Sequence, residues 1–417
     1  MKMNRNNIKK GKYGVLAVSL LFGMISSCGG GSDEASVEPS DSQADIETSA
    51  PMDTAASAGD PVADGIAYAQ EQLAKYTAEP GPFEAPGPAV DGDIASLKGG
   101  EIWFIPIAYQ FVPYFAVQEA GLKEAFGEIG MTVRTCDAAA DPTIAAKCVD
   151  DAVTAGAKAI VTGAVTYPFA PNAFDAAKKA GVKIIYGDGG YPSETGNNDP
   201  WEDGVAYVSF NGALATSIVA DWMIVDSKGT ANVLAIRVSD TDWTKATMSS
   251  GAVKEFASYC PNCKVVVVDS NAAQTPERPS VVAGAIAANP DTNYVLPNFD
   301  STVAPSGALE GVQNAGYLEK IKGGTTTGQL PGLKLISEGR FLNINVGQNV
   351  TQEAWAGADQ AIRLLLGNAA AVDPVVQLRA FTAEVVAGLE LTEENASSGI
   401  FFGNTGFKDV YRKLWGL

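Results

Sequence analysis

The sequence predicts an α/β protein made of two doubly wound parallel-sheet lobes joined by a multi-crossing hinge. Three observations carry that reading. Runs rich in β-branched and aromatic residues alternate with helical patterns from residue 100 onward. A polar loop over 191–203 breaks the alternation, which then restarts. The folded part, ~320 residues, exceeds what one small core accommodates and suits two.

Residues 100–130 open the fold. The run 102–108 reads as a strand buried on both faces. An aromatic loop follows, with Tyr109, Gln110, Phe111, Pro113, Tyr114 and Phe115. Val117, Ala120, Gly121, Ala125 and Phe126 then recur on a helical period, and Gly127 and Gly130 end the helix. Ligands of doubly wound sheets bind beyond the carboxyl ends of the strands, so the aromatic loop is expected to form one lip of a cleft.

The next strand lies over 131–137. Asp141-Pro142 starts a helix over 144–155, an N-cap followed by proline at the first helical position. A strand over 159–162, a helix over 172–180 and a strand over 182–186 complete the first series, and Gly187, Asp188, Gly189 and Gly190 turn the chain. After the polar loop come a strand over 205–210 and a long helix from Asn211 to 226. Strands over 231–237, 264–268, 294–296 and 321–326 alternate with helices over 245–259, 278–288 and 303–315. A strand over 341–346, a helix over 351–366, an apolar segment over 375–386 and a short helix over 407–414 end the chain. The expected hinge crossings lie at 209–212, 346–348 and 374–377. The first lobe is then 99–209 plus 348–376, and the second is 210–347 plus 377–417.

The N-terminal segment has a different character. Residues 1–27 carry five bases, then an apolar run over 15–25 and a pair of serines before Cys28. That is the pattern of a secretory signal, and the run is short for a bilayer span. Small residues before a cysteine resemble a bacterial lipobox, which implies cleavage before Cys28 and a lipid on its thiol. Residues 28–98 read as an acidic tether. Its first part is too polar to offset the entropy of ordering. Ile66, Ala69, Leu73 and Tyr76 share the face of one short helix over 61–77, and a proline-rich linker follows.

Composition excludes several functions. The chain has 29 bases and 48 acids; removing residues 1–27 leaves 24 bases against the same 48 acids. This balance argues against nucleic acid and against an anionic membrane surface as partners. The chain contains no histidine, which removes imidazole acid–base catalysis, Ser-His-Asp triads and histidine metal sites. No metal or cofactor is expected. Besides Cys28 there are Cys136, Cys148, Cys260 and Cys263, which allow three connectivities. Export favours two local disulfides over a redox CxxC or a zinc site at Cys260 and Cys263.

Several stretches together resemble the type I periplasmic sugar-binding proteins, the ribose-binding group that serves ABC importers, over about residues 99–390. Pro113-Tyr114-Phe115 followed by Gly121 is similar to that family's Pro-Phe-Phe and downstream glycine. Ala180-Gly181-Val182 leading to Asp188, the stretch 295–309 with Asp300, and Gln348 with Trp355 are similar to three further family segments. The resemblance implies that Tyr114 and Phe115 stack on a ligand and that Asp188 and Gln348 bind it. It also places Asp242 and Trp243 on a loop facing the cleft, with Phe299 and Asp300 beside them. The family's polar positions are altered: Val112, Gly163 and Phe299 stand where it has asparagine, Gly189 where it has arginine, and Thr327 near where it has aspartate. Tyr109, Phe111 and Tyr167 are added as aromatic candidates. Gln110, Thr166, Asn211, Asp240 and Asn298 are candidates for replacement polar groups.

The expected function is therefore an exported, lipid-anchored solute receptor of the cell envelope, in the periplasm or on the outer face of the cytoplasmic membrane. It is expected to act as a monomer, to close on a small neutral sugar or a less polar relative, and to deliver it to an ABC permease. Two other readings use the same residues: a ligand sensor feeding a signalling partner, and a receptor for an aromatic or other apolar solute. An exported glycosidase would need paired acids, for which Asp188 with Asp242 or Asp300 would have to serve, and no paired-acid motif supports it.

Overall fold

The computed structural model describes residues 60–110, 112–189, 203–371, 376–403 and 406–417. The expected signal, Cys28, the tether through residue 59, Phe111 and most of the polar loop lie outside the described residues.

The described chain begins with helix α1 (Pro61–Thr77), whose N-cap Asp60 accepts from the Val62 amide with proline at the first helical position. The first lobe is then built from β1 (Glu101–Pro106), α2 (Tyr114–Glu128), β2 (Thr132–Thr135), α3 (Pro142–Thr154), β3 (Ala159–Gly163), α4 (Pro171–Lys179), β4 (Lys183–Gly187) and β5 (Val205–Val208). Its five strands are parallel in the order β2-β1-β3-β4-β5. Successive β1 residues enter opposite cores: Ile102 and Phe104 on one face, Trp103 and Ile105 on the other. Burial on both faces is why the strand reads as a continuous apolar run. A disulfide joins Cys136, just after β2, to Cys148 on α3.

The chain crosses at Ser209–Asn211 into the second lobe. This holds α5 (Gly212–Asp226), β6 (Asn232–Val238), α6 (Asp242–Ala246), a π-helical turn (Thr247–Val253), α7 (Lys254–Tyr259), β7 (Lys264–Ser270) and α8 (Arg278–Ala288). It continues through β8 (Tyr294–Pro297), α9 (Ala308–Asn314), β9 (Lys322–Thr327), α10 (Leu330–Ser337) and β10 (Leu342–Gln348). Helix α11 (Val350–Leu365) returns to the first lobe and packs on α2. Then β11 (Leu378–Thr382) closes the second sheet antiparallel to β10, and α12 (Ala383–Val386), α13 (Glu393–Ser398) and α14 (Phe407–Leu414) follow. The second sheet runs β11-β10-β9-β8-β6-β7. Alternate β6 residues again face opposite cores, Val233 and Ala235 against Leu234 and Ile236.

The structure departs from the sequence reading in four places. The helix expected over 245–259 is interrupted. The Thr216 hydroxyl of α5 donates to the Thr247 carbonyl at 2.6 Å and accepts from the Ala252 amide at 3.1 Å, which opens the ladder into a π turn. The helix expected over 303–315 is shortened to α9, and α10 is an additional helix. The segment 377–417 does not stay whole with the second lobe: its residues through Phe402 do, but Phe407, Tyr411, Leu414 and Trp415 join the first lobe's core. There Trp415 stacks on Trp355 of α11 with ring centroids 5.5 Å apart.

The fourth departure concerns the N-terminal segment, which is part of both lobes. Ile66, Ala69, Leu73 and Tyr76 of α1 enter the second lobe's core. Tyr68 stacks on Tyr259 at 3.8 Å, and a Cβ on Gly65 would meet the Tyr259 carbonyl oxygen at 1.9 Å. Downstream, Phe83 enters the first lobe's core against Tyr411, and the Val90 amide donates to the Leu414 carbonyl at 2.8 Å. The proline-rich linker is thus a packed strap rather than a free spacer. Among the described residues no helix is long and apolar enough to cross a membrane.

Beneath α1 lies an acid pair, the buried Asp221 on α5 and the half-buried Glu255 on α7, with Tyr68 hydrogen-bonded to Glu255. Burial, reinforced by the charge of Glu255, pushes the Asp221 carboxyl up to about 8. An acid whose folded pKa is raised loses stability as pH climbs from its unfolded value through its folded one. Asp221→Asn is therefore expected to gain in melting temperature over the parent chain as pH rises from 5 to 8, and to hold that gain above 8. A melting difference independent of pH would contradict this.

Candidate functional site

The carboxyl ends of the first lobe's strands meet the returning crossing at one buried side chain, Tyr114. Pro113 places it at the start of α2. Its hydroxyl lies 2.8 Å from Asp188 Oδ1 and 2.6 Å from Glu353 Oε2, and accepts from Gln348 Nε2 at 3.2 Å. Gln118, one helical turn along, donates from Nε2 to Asp188 Oδ2 at 3.0 Å. Asp188 follows β4 in the left-handed region, with φ of 51°, and its amide donates to the Val208 carbonyl. Gln348 ends β10, and Glu353 lies in the first turn of α11. The cluster thus fastens α2, β4 and the hinge crossing to one another.

Its electrostatics are unusual. Asp188 and Glu353 touch each other, and burial raises the carboxyls of both; the charge of Asp188 raises Glu353 further. Both carboxyls are therefore held toward their protonated forms, and charging one opposes charging the other. Burial, followed by the charges of Asp188 and Glu353, keeps the Tyr114 phenol protonated. The Oε1 atoms of Gln118, Gln348 and Glu353 are buried without a hydrogen-bond partner among the described residues.

On the second lobe, Asp300 organises the strand ends. It accepts from the Gln329 amide at 2.7 Å, from Asn345 Nδ2 at 2.9 Å and from the Thr327 hydroxyl at 3.1 Å. Burial pushes its carboxyl up to about 6, against the pull of these donors. A Cβ on Gly332 would sit 2.1 Å from Asp300 Oδ1, so glycine there makes room for the carboxylate. Beside it an aromatic stack runs outward from the lobe's core. Trp243 is buried, edge-on to Phe210 at 5.6 Å and parallel to the half-buried Phe299 at 6.2 Å.

The residues singled out in the sequence fall into three groups. Tyr114, Asp188 and Gln348 come together, as do Trp243 and Phe299 in the other lobe. Phe115 packs edge-on beneath Tyr114, and its ring would lie 2.9 Å from a Cβ on Gly163, which leaves no room there for the asparagine side chain that the resemblance implies. Others are engaged elsewhere. The Tyr109 hydroxyl donates to Glu119 at 2.6 Å, which pushes the phenol up to about 12. Tyr167 bonds Asp175 at 3.1 Å on its own lobe, and Asp242, 88% exposed, pairs with Lys245. Asp240 accepts from the Ala272 amide, Asn211 caps α5, and Asn298 donates to Thr247. Sequence reasoning missed Gln118, Glu353 and Asn345. For Glu353 a signal existed: α11 carries Glu353, Asp359 and Arg363 among apolar and small residues, and every residue from Val350 to Leu364 is buried. Charges on such a helix require partners.

The Tyr114 hydroxyl lies against both carboxyls, of which Asp188 has a further donor in Gln118. Tyr114→Phe is expected to lower unfolding stability in urea by about 1–3 kcal/mol, the cost of leaving a buried polar group unpaired. An unchanged denaturation midpoint would remove the cluster's structural role.

No curated protein matches the chain. Solved structures similar to it include an ABC transporter periplasmic solute-binding protein from Actinobacillus succinogenes with bound D-allose, at 18% identity and a TM-score of 0.60, covering 70% of this chain and 100% of that one. The Caulobacter myo-inositol binding protein is similar at 20% identity and a TM-score of 0.59, covering 72% and 97%. The 5-methylthioribose transporter solute-binding protein of Thermotoga lettingae is similar at 16% identity and a TM-score of 0.62, covering 75% and 97%. At these identities the likeness establishes the fold. Residues 102–369 match the family described as the periplasmic binding protein domain, and with this span of two lobes and their crossings, the chain belongs to that family.

Proposed function

We propose that this protein is an extracytoplasmic receptor that closes on a small sugar or sugar-like solute and delivers it to an ABC importer. The observation that carries the reading is the Tyr114 cluster. It sits where the first lobe's strand ends meet the hinge crossing, so a solute touching it bears on the hinge directly. Closure brings the second lobe's strand ends, with Phe299 over Trp243, onto the same solute and expels water. No bond is made or broken.

The polar grips are few. Val112, Gly163, Gly189 and Phe299 remove side chains that a pentose-binding site uses, and Asp240, Asn211 and Asn298 are spent on the backbone and on Thr247. Each buried hydroxyl left unpaired costs about 1–3 kcal/mol, so a solute with fewer hydroxyls than a pentose or hexose is favoured. The aromatic stack of the second lobe supports an apolar face on that solute. The 5-methylthioribose named for the Thermotoga lettingae protein is a sugar of this kind. Export with a lipid on Cys28, and action as a monomer beside the permease, complete the proposal.

Thermal melting of the chain against pentoses, hexoses, inositols and thio- or deoxy-sugars tests it. A true solute at a hundredfold excess over its Kd stabilises by about 2.7 kcal/mol. Phe299→Leu, which keeps apolar packing on Trp243 but removes the ring, is expected to weaken that solute at least tenfold while the free chain still melts cooperatively. Silence from every sugar would contradict the assignment. Cys28→Ser is expected to move the protein from the membrane to the soluble fraction.

A further inference from the structure

Charge is distributed one-sidedly at the ends of the strands. The stretches that follow β1 to β10 are 107–113, 136–141, 164–170, 188–189, 209–211, 239–241, 271–277, 298–307, 328–329 and 349. Together they hold Asp137, Asp141, Asp188, Asp240, Glu277 and Asp300, and no lysine or arginine of their own. In the second lobe the guanidinium of Arg278, the first residue of α8, reaches in to donate to the Asn271 and Ser306 carbonyls, whereas the first lobe's cluster has no such cation. Residues 190–202 contain no lysine or arginine either. The arginine that the family resemblance leads one to expect after Asp188 is Gly189.

At the base of this acidic end lies the one pair of touching carboxyls in the first lobe's cluster, Asp188 and Glu353. The ionisable groups that meet there are Tyr114, Asp188 and Glu353; their other neighbours in the cluster, Gln118 and Gln348, are neutral. Three acceptor oxygens remain unpartnered there, Oε1 of Gln118, Gln348 and Glu353, each on a side chain more than nine-tenths buried. The cluster therefore has a surplus of acidic groups and of acceptors, no basic group, and a deficit of donors. A metal ion does not fit the deficit: among the described residues no group of three or more Asp, Glu, His or Cys side chains is arranged to hold one. An ammonium group does, because it supplies three donors, no acceptor and one positive charge.

We propose that the solute carries a protonated amine, as an amino sugar does, and that the Asp188–Glu353 pair receives it when the hinge opens the cluster to the cleft. The proposal rests on the receptor reading above and names the chemistry of its solute. On binding, a proton held on the two carboxyls leaves to solvent, and the ammonium takes its place as their shared partner. No covalent bond changes.

Titration calorimetry on the chain with matched solutes tests this: D-glucosamine against D-glucose, D-galactosamine against D-galactose, with N-acetyl-D-glucosamine as a neutral control of similar shape, and putrescine as an amine without a sugar. The expected result is at least tenfold tighter binding of an amino sugar than of its neutral counterpart. The binding heat should also vary with the ionisation enthalpy of the buffer, as proton release requires. Glu353→Gln, checked for folding by its melting curve, should lose that tenfold preference. A neutral sugar bound as tightly as its amine partner would overturn the inference and leave the receptor reading standing. Tight binding of putrescine with none of the sugars would keep the amine and overturn the sugar reading. No binding from any of them would overturn both.

Discussion

The hydroxyl of Tyr114 is the point on which the site depends. A single buried oxygen contacts Asp188 from the end of β4, Glu353 from α11 and Gln348 from the crossing that ends β10. Each partner belongs to a different element, so their relative placement is set by one side chain. Burial makes the arrangement demanding, because it raises both carboxyls and opposes charging the two side by side. The aromatic beneath, Phe115, fills the space over Gly163 and holds Tyr114 in place. The missing side chain at Gly163 is, in the fold, a consequence of this packing.

The second constraint is mechanical. The chain passes between the lobes at 209–211, after Gln348 and again before β11, and two further passages lie outside the span of residues 102–369 matched by the family. The strap links α1 in the second lobe's core to Phe83 in the first, and the chain returns between Phe402 and Phe407. Gln377 at the hinge donates to the Gly81 carbonyl of the strap at 2.9 Å, so strap and hinge are in contact. Any opening of the cleft must be accommodated by these passages together.

Much of this was legible in the sequence. Alternating strand and helix patterns located both sheets, because strands buried on both faces are continuous apolar runs bounded by glycine and polar residues. The face of α1 was legible in Ile66, Ala69, Leu73 and Tyr76, but its docking site was not, since periodicity identifies an apolar stripe without naming what covers it. The break at the π turn depends on the Thr216 hydroxyl from another helix, and the transfer of α14 to the first lobe depends on Trp355; both are tertiary effects. Family-like spacing singled out Tyr114, Asp188 and Gln348, which the fold brings together. Glu353 was missed because a lone glutamate near a helix start ordinarily reads as a solvated residue favoured by the helix dipole. Asp242 shows the opposite case: it begins α6, is exposed and pairs with Lys245, an engagement that its sequence position did not reveal.

The measurement that bears most directly on the account is small-angle X-ray scattering of the chain with and without the solute that stabilises it. A receptor that closes around its solute should contract, with a smaller radius of gyration and a shorter maximum dimension in the bound form. Scattering curves that superpose at saturating solute would contradict closure, and with it the role assigned here to the Tyr114 cluster at the hinge.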